Sequence, residues 1–157
     1  MAYKEQENNS GKNFMDPSTR ELAHEMNSIL AIIREEAGWI EDILGRKDMH
    51  NLANYGELTR SLTEIIRQTL CCKEIVQGLR SYPSADKVPR QTRHDLNNPL
   101  AVIREEAGWM QDLLGKNDII KNADNDELTN SLSEIKRQAI RCKETTQCIG
   151  RGSGDPE

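Results

Sequence analysis

Residues 24–150 carry one pattern twice. A shift of 70 positions lays His24 on His94, Trp39 on Trp109, Gly45 on Gly115, Leu58 on Leu128, Cys72 on Cys142 and Gln77 on Gln147, with no insertion between them. A repeat fixes the unit from which any fold must be built. Two copies are too few for a stacked solenoid, which needs at least three. The pattern therefore predicts a duplicated unit that packs against itself.

Each unit reads as two helices. In the first copy Leu22, Met26, Ile29 or Leu30, Ile33, Ala37, Ile40 and Leu44 recur in steps of three and four. That spacing places them on one helical face. Ser18 and Glu21, with Pro17 just before, fit a capping box, and Gly45 suits a C-terminal cap. The expected helix runs from about residue 18 to Leu44. After the polar stretch GRKDMHNLANYG, a second stripe of Leu58, Leu62, Ile65, Thr69, Cys72, Val76 and Leu79 predicts a helix from near Glu57. The second copy repeats it with Leu128, Leu132, Ile135, Ala139, Cys142, Thr146 and Ile149, and Asp124 with Glu127 fits its cap.

Residues 81–92, SYPSADKVPRQT, read as a linker in which Pro83 and Pro89 interrupt helical continuity. Extended, it spans roughly 35–40 Å, more than the width of a helical bundle. A lone hairpin would leave its apolar stripe in water. The expected fold is thus all-α: two tandem helical hairpins closing into an intramolecular four-helix bundle. The expected segments are a mobile N-terminal stretch (1–17), hairpin one (18–80), linker (81–92), hairpin two (93–150) and a mobile tail (151–157).

Composition agrees with narrow apolar stripes. Aromatic residues make up 4% of the chain and charged residues 30%. The net charge is −5, and Lys and Arg are interspersed with Glu and Asp. That distribution lacks the clustered basic surface of a nucleic-acid binder. No apolar run approaches the roughly 20 residues of a membrane span, and no signal segment opens the sequence. A cytoplasmic protein is expected. Cys71, Cys72, Cys142 and Cys148 form no CxxC pair, so they are expected to be reduced packing residues without zinc.

The histidines fall off the core stripe. His24 lies two residues after Leu22, about 200° around the helix, and so faces water. His94 takes the same place before Leu96. Duplication alone accounts for the match. Chemistry gives it a further sense: an imidazole in water is mostly neutral at pH 7, and its unprotonated nitrogen is a nucleophile. The next residue, Glu25 or Asp95, is a carboxylate that can accept the other ring proton and steady charge developing on the ring.

The run His94-Asp95-Leu96-Asn97-Asn98-Pro99-Leu100 resembles the H-box of the dimerisation and phosphotransfer domain of sensor histidine kinases. That pattern is a histidine, an acid, two variable residues, Asn or Thr, then Pro and Leu. The resemblance covers about residues 18–150. In the family two chains each give one hairpin to a four-helix bundle, so the resemblance implies a fused pseudo-dimer, monomeric in solution. It implies His94 as phosphoacceptor, Asp95 as its acid/base neighbour, Asn98 as the residue that orients water for dephosphorylating a response regulator, and Pro99 as the residue that bends the helix. The first copy keeps His24 and Glu25 but has Ser28 for the Asn and Ile29 for the Pro. That departure implies a straighter helix there and leaves His24 as a candidate second phosphoacceptor.

The sequence has no GxxxxGK[ST] and no glycine-rich nucleotide loop, so self-phosphorylation from ATP is not expected. The leading expectation is a histidine phosphotransfer protein. Its partner would be a response-regulator receiver domain or a histidine kinase, with no nucleic acid or membrane involved. No cofactor would be bound by this chain; Mg²⁺ would sit on the regulator. The alternatives are a non-catalytic bundle that sequesters a kinase or regulator, and a regulator phosphatase acting through Asn98.

The run REEAGW is identical in both copies. Trp39 and Trp109 adjoin the core residues Ile40 and Met110 and are expected to flank the helix interface; a docking surface is the rival use. Gly38 and Gly108 cost about 1 kcal/mol in mid-helix, which suggests close helix approach. Arg34 and Arg104 are expected to bridge to glutamates, or else to meet a partner's acidic or phosphorylated surface.

Overall fold

The computed structural model describes residues 18–116 and 122–151; of the segments expected to be mobile, 1–17 and 151–157, all but Arg151 lie outside the described residues. Among the described residues there are four long helices and no strand: α1 (Thr19–Leu44), α2 (Tyr55–Gly78), α3 (Arg90–Gly115) and α4 (Asn122–Thr145). Short 3₁₀ turns cover Lys47–Met49, Leu79–Ser81, Ala85–Lys87 and Thr146–Cys148. No described helix is long and apolar enough to cross a membrane.

α1 and α3 each pack against both α2 and α4. Hydrogen bonds at the ends set the directions. At one end the Thr19 hydroxyl donates to the Tyr82 carbonyl at 2.9 Å, and the Gly150 N–H donates to the Ala85 carbonyl at 3.2 Å. The starts of α1 and α3, the linker and the end of α4 therefore meet there. At the other end Arg46 Nη1 pairs with Asp124 Oδ1 at 3.0 Å, and Asn54 Nδ2 reaches the Leu113 carbonyl at 3.4 Å. Sequence neighbours thus run antiparallel.

The apolar stripes along α1, α2 and α4, with the turns that follow α2 and α4, are buried at every position, and in α3 Leu96, Leu100, Ile103, Ala107, Met110 and Leu114 join them. Each fully buried Leu, Ile or Met contributes about 1.5–3 kcal/mol, which is why the unit must find a second copy of its face. Thr69 is tolerated in the stripe because its hydroxyl donates to the Ile65 carbonyl at 2.7 Å. The α1 cap is the one expected: Glu21 N–H donates to Ser18 Oγ at 3.0 Å and Ser18 N–H to Glu21 Oε1 at 3.1 Å.

Gly45 is the C-cap of α1 as expected, right-handed at φ −75° with its N–H on the Glu41 carbonyl, and the chain leaves α1 by a 3₁₀ turn. Other local expectations are corrected. Asp124 does not cap α4. The helix starts earlier, at Asn122, and Asp124 lies in its first turn, where its charge suits the helix dipole and meets Arg46. The linker is shorter than 81–92, since α3 begins at Arg90 with Pro89 as its N-cap at φ −57°. Among the described residues the place where glycine is needed is Gly150, at φ +78°. A Cβ there would lie 2.8 Å from Arg90 Cα, so the end of α4 closes on the start of α3 only without a side chain.

Candidate functional site

α1 and α3 deliver the two histidines to the same end of the molecule, within two turns of each helix start. Both side chains are exposed, as are their neighbours Glu25 and Asp95. The core beneath them explains this. Leu22, Ala23 and Met26 around His24, and Leu96 beside His94, point inward and leave the histidine positions facing out.

The acid next to each histidine has other surroundings in this structure. Asp95 Oδ1 accepts from Gln91 Nε2 at 2.9 Å, one turn back along α3. No hydrogen bond joins His94 to Asp95 or His24 to Glu25 among the described residues. Successive helical side chains diverge by about 100°, so an i,i+1 pair does not face itself. Glu25 instead borders a shallow groove between α1 and the end of α4.

Asn98, four residues after His94, is exposed on the same side of α3. Pro99 is buried inside an unbroken helix. Its ring leaves the Asp95 carbonyl without the amide proton that position 99 would otherwise supply. In the first copy the equivalents behave differently. Ile29 is buried, and Ser28 Oγ donates back to the His24 carbonyl at 3.0 Å. The Ser28 hydroxyl is thereby directed at its own helix backbone.

Asn97 is a site residue that pattern reading passed over. Thr146 Oγ, at the end of α4, lies 3.2 Å from Asn97 Oδ1 and 2.6 Å from the Lys143 carbonyl. This contact pins the α3 turn that carries His94 and Asn98. The first copy has Asn27 at the matching place, but Val76 where Thr146 would be, and Asn27 Oδ1 is buried without a partner. The repeat alignment could have flagged the pair, since Thr146 replaces Val76 inside an apolar stripe.

Two of the thiols, Cys72 and Cys142, are held in the neutral form by burial. Burial pushes the Cys142 thiol up to about 12, with the Glu25 carboxylate adding to the effect, and Cys72 is also raised by burial with Cys142 nearby. None of the four cysteines is in a disulfide, and Cys72 and Cys142 are buried packing residues as expected, whereas Cys71 is exposed. No cluster of His, Cys, Asp and Glu among the described residues could hold a metal ion.

The REEAGW features also need correction. Trp39 and Trp109 are 47% and 43% exposed, and Trp109 borders the groove between α2 and α3. Leu70 and Ile140, likewise exposed, occupy equivalent positions, so among the described residues the large exposed apolar side chains come as two matched pairs. Gly38 and Gly108 do not mark close helix approach: a Cβ on Gly108 meets nothing within 4 Å, and one on Gly38 meets only Arg34 Nη1 at 3.6 Å. Neither Arg34 nor Arg104 has a carboxylate within 4.0 Å among the described residues. Scans against family models, curated proteins and solved structures find no match to this chain.

Proposed function

We propose that the chain is a histidine phosphotransfer protein whose two hairpins form one intramolecular four-helix bundle, a pseudo-dimer within a monomer. His94 is the acceptor. A ring nitrogen attacks the phosphorus of a response regulator's aspartyl phosphate, the N–P bond forms, the P–O bond to the aspartate breaks, and the carboxylate leaves. The reverse step returns the phosphoryl group. The regulator brings Mg²⁺ and its acidic pocket; this chain brings a nucleophile held on a rigid helix. The observation that carries the proposal is the exposed His94 inside the H-box-like run, on a turn pinned by Asn97 and Thr146. His24 shares the exposure and is the second candidate acceptor. Asp95 acts as a nearby charge rather than a tautomer clamp, given its bond to Gln91.

The test is transfer from phosphorylated receiver domains, read as acid-labile phosphate on the chain. Wild type and His24→Ala should label, and His94→Ala should lose most of the label. Equal, negligible labelling of wild type and His94→Ala with every receiver tried would sink the proposal. The exposure of Asn98 beside His94 favours a second reading, a regulator phosphatase. Loss of dephosphorylation in Asn98→Ala, with His94→Ala still active, would select it.

A further inference from the structure

We propose that the chain carries two equivalent grooves, one between α2 and α3 and one between α4 and α1, each of which seats a lysine- or arginine-bearing helix of a partner protein. The first is an open groove whose walls are Glu57 and Glu64 from α2 and Glu105, Glu106 and Trp109 from α3. Four carboxylates face one guanidinium, Arg60, in this groove. Glu64 is also tied to Gln68 at 2.6 Å and to Arg67.

Two further observations point to a ligand. Ser61 lines the groove floor at 5% exposure, and its hydroxyl makes no hydrogen bond among the described residues. That oxygen is not sealed from the groove, so it can bond to a polar group that enters there. The ring of Trp109 already has a cation near it: Lys116 Nζ lies 5.9 Å from its centroid. An aromatic face with carboxylates beside it suits an ammonium or guanidinium group.

The second groove is inferred from the repeat alone, which places the same residue types along α4 and α1. Glu127, Ser131 and Glu134 of α4 and Glu35, Glu36 and Trp39 of α1 stand at the equivalent positions. Ser131 is 6% exposed, and Glu134 pairs with Arg137 as Glu64 does with Arg67. Asn130 replaces Arg60, so this site has one cation fewer. Along α2, Glu57 and Glu64 are two turns apart, about 10 Å. Basic residues seven apart on a partner helix match that spacing, which is why a helix is the fitting occupant.

The proposal does not rest on the phosphotransfer chemistry, and the two can fail separately. Trp39 and Trp109 are the only tryptophans in the chain, so intrinsic fluorescence reports on both grooves at once. The full chain would be titrated at physiological salt with a synthetic helical peptide carrying arginines four and seven residues apart. We expect a saturable change at two peptides per chain. Glutamine at Glu35, Glu36, Glu105 and Glu106 together should weaken binding about tenfold, since two charge pairs are lost per groove. The same number of amide substitutions at Glu41, Asp48, Glu74 and Glu144 should leave it within about twofold. Equal weakening by the two sets would mean attraction to net charge alone and would overturn the proposal, as would the absence of saturable binding. His94→Ala should bind the peptide as wild type does.

Discussion

The two copies agree through the middle of the helices and diverge at the histidine end. In the middle, the buried stripes match position for position, and REEAGW is unchanged with its tryptophans exposed in both. At the histidine end, Asn98 faces Ser28 in the alignment, Pro99 faces Ile29, Thr146 faces Val76 and Gly150 faces Arg80. The middle has to satisfy a shared core, because each stripe is buried by the other copy as well as its own. The ends answer to local contacts, so one copy can change without the other. The second copy has the better-satisfied end: its Asn97 has a partner, while Asn27 Oδ1 has none.

That contrast can be broken by substitution. The largest effect is expected at Gly150. Gly150→Ala places a methyl 2.8 Å from Arg90 Cα on a left-handed backbone, and should destabilise by about 2–3 kcal/mol in chemical denaturation. Arg80→Ala, at the equivalent right-handed position, should be within about 0.5 kcal/mol of wild type. Comparable losses at both sites would show that the ends are alike after all.

Next comes the Asn–Thr pair. Thr146→Val should cost about 1–2 kcal/mol, by recreating in the second copy the orphaned amide of the first. Val76→Thr should do the opposite and add about 1 kcal/mol if its hydroxyl reaches Asn27. A loss with Val76→Thr would mean that the first copy has rearranged too far for the partner to meet.

The middle of the helices makes a symmetric prediction. Gly108→Ala and Gly38→Ala should each stabilise by about 0.5–1 kcal/mol, because the added methyl finds free space or ordinary contact. A gain in one copy and a loss in the other would break the equivalence of the middle. The smallest effect is at the far end, where Arg46→Ala removes the contact to Asp124. It should cost under about 1 kcal/mol and fade as salt is raised.

The helices and their buried faces were legible in the sequence because they rest on periodicity, which is local. Ser18 and Glu21 announced the α1 start for the same reason. What could not be read were contacts between elements. Asp124 looks like a cap until Arg46, from the turn after another helix, is seen beside it. Gly108 looks like a point of close approach until the space above it proves empty. Arg34 and Arg104 sit among glutamates in sequence, yet the described residues offer them no carboxylate in reach. For the site, the outward direction of His24 and His94 followed from the helix angle. The Asp95 bond to Gln91 and the Thr146 contact to Asn97 did not, since each depends on a rotamer or on the end of a distant helix.

The short path from α2 to α3 has a last consequence. Only residues 82–89 separate the 3₁₀ turn after α2 from the first residue of α3. Joined so closely, one hairpin meets the other at an effective concentration of the order of millimolar. Docking of the two faces is then a first-order event. For the monomeric pseudo-dimer proposed above, dilution that would separate a pair of unlinked hairpins leaves this equilibrium unmoved, and the apparent melting temperature should not depend on protein concentration.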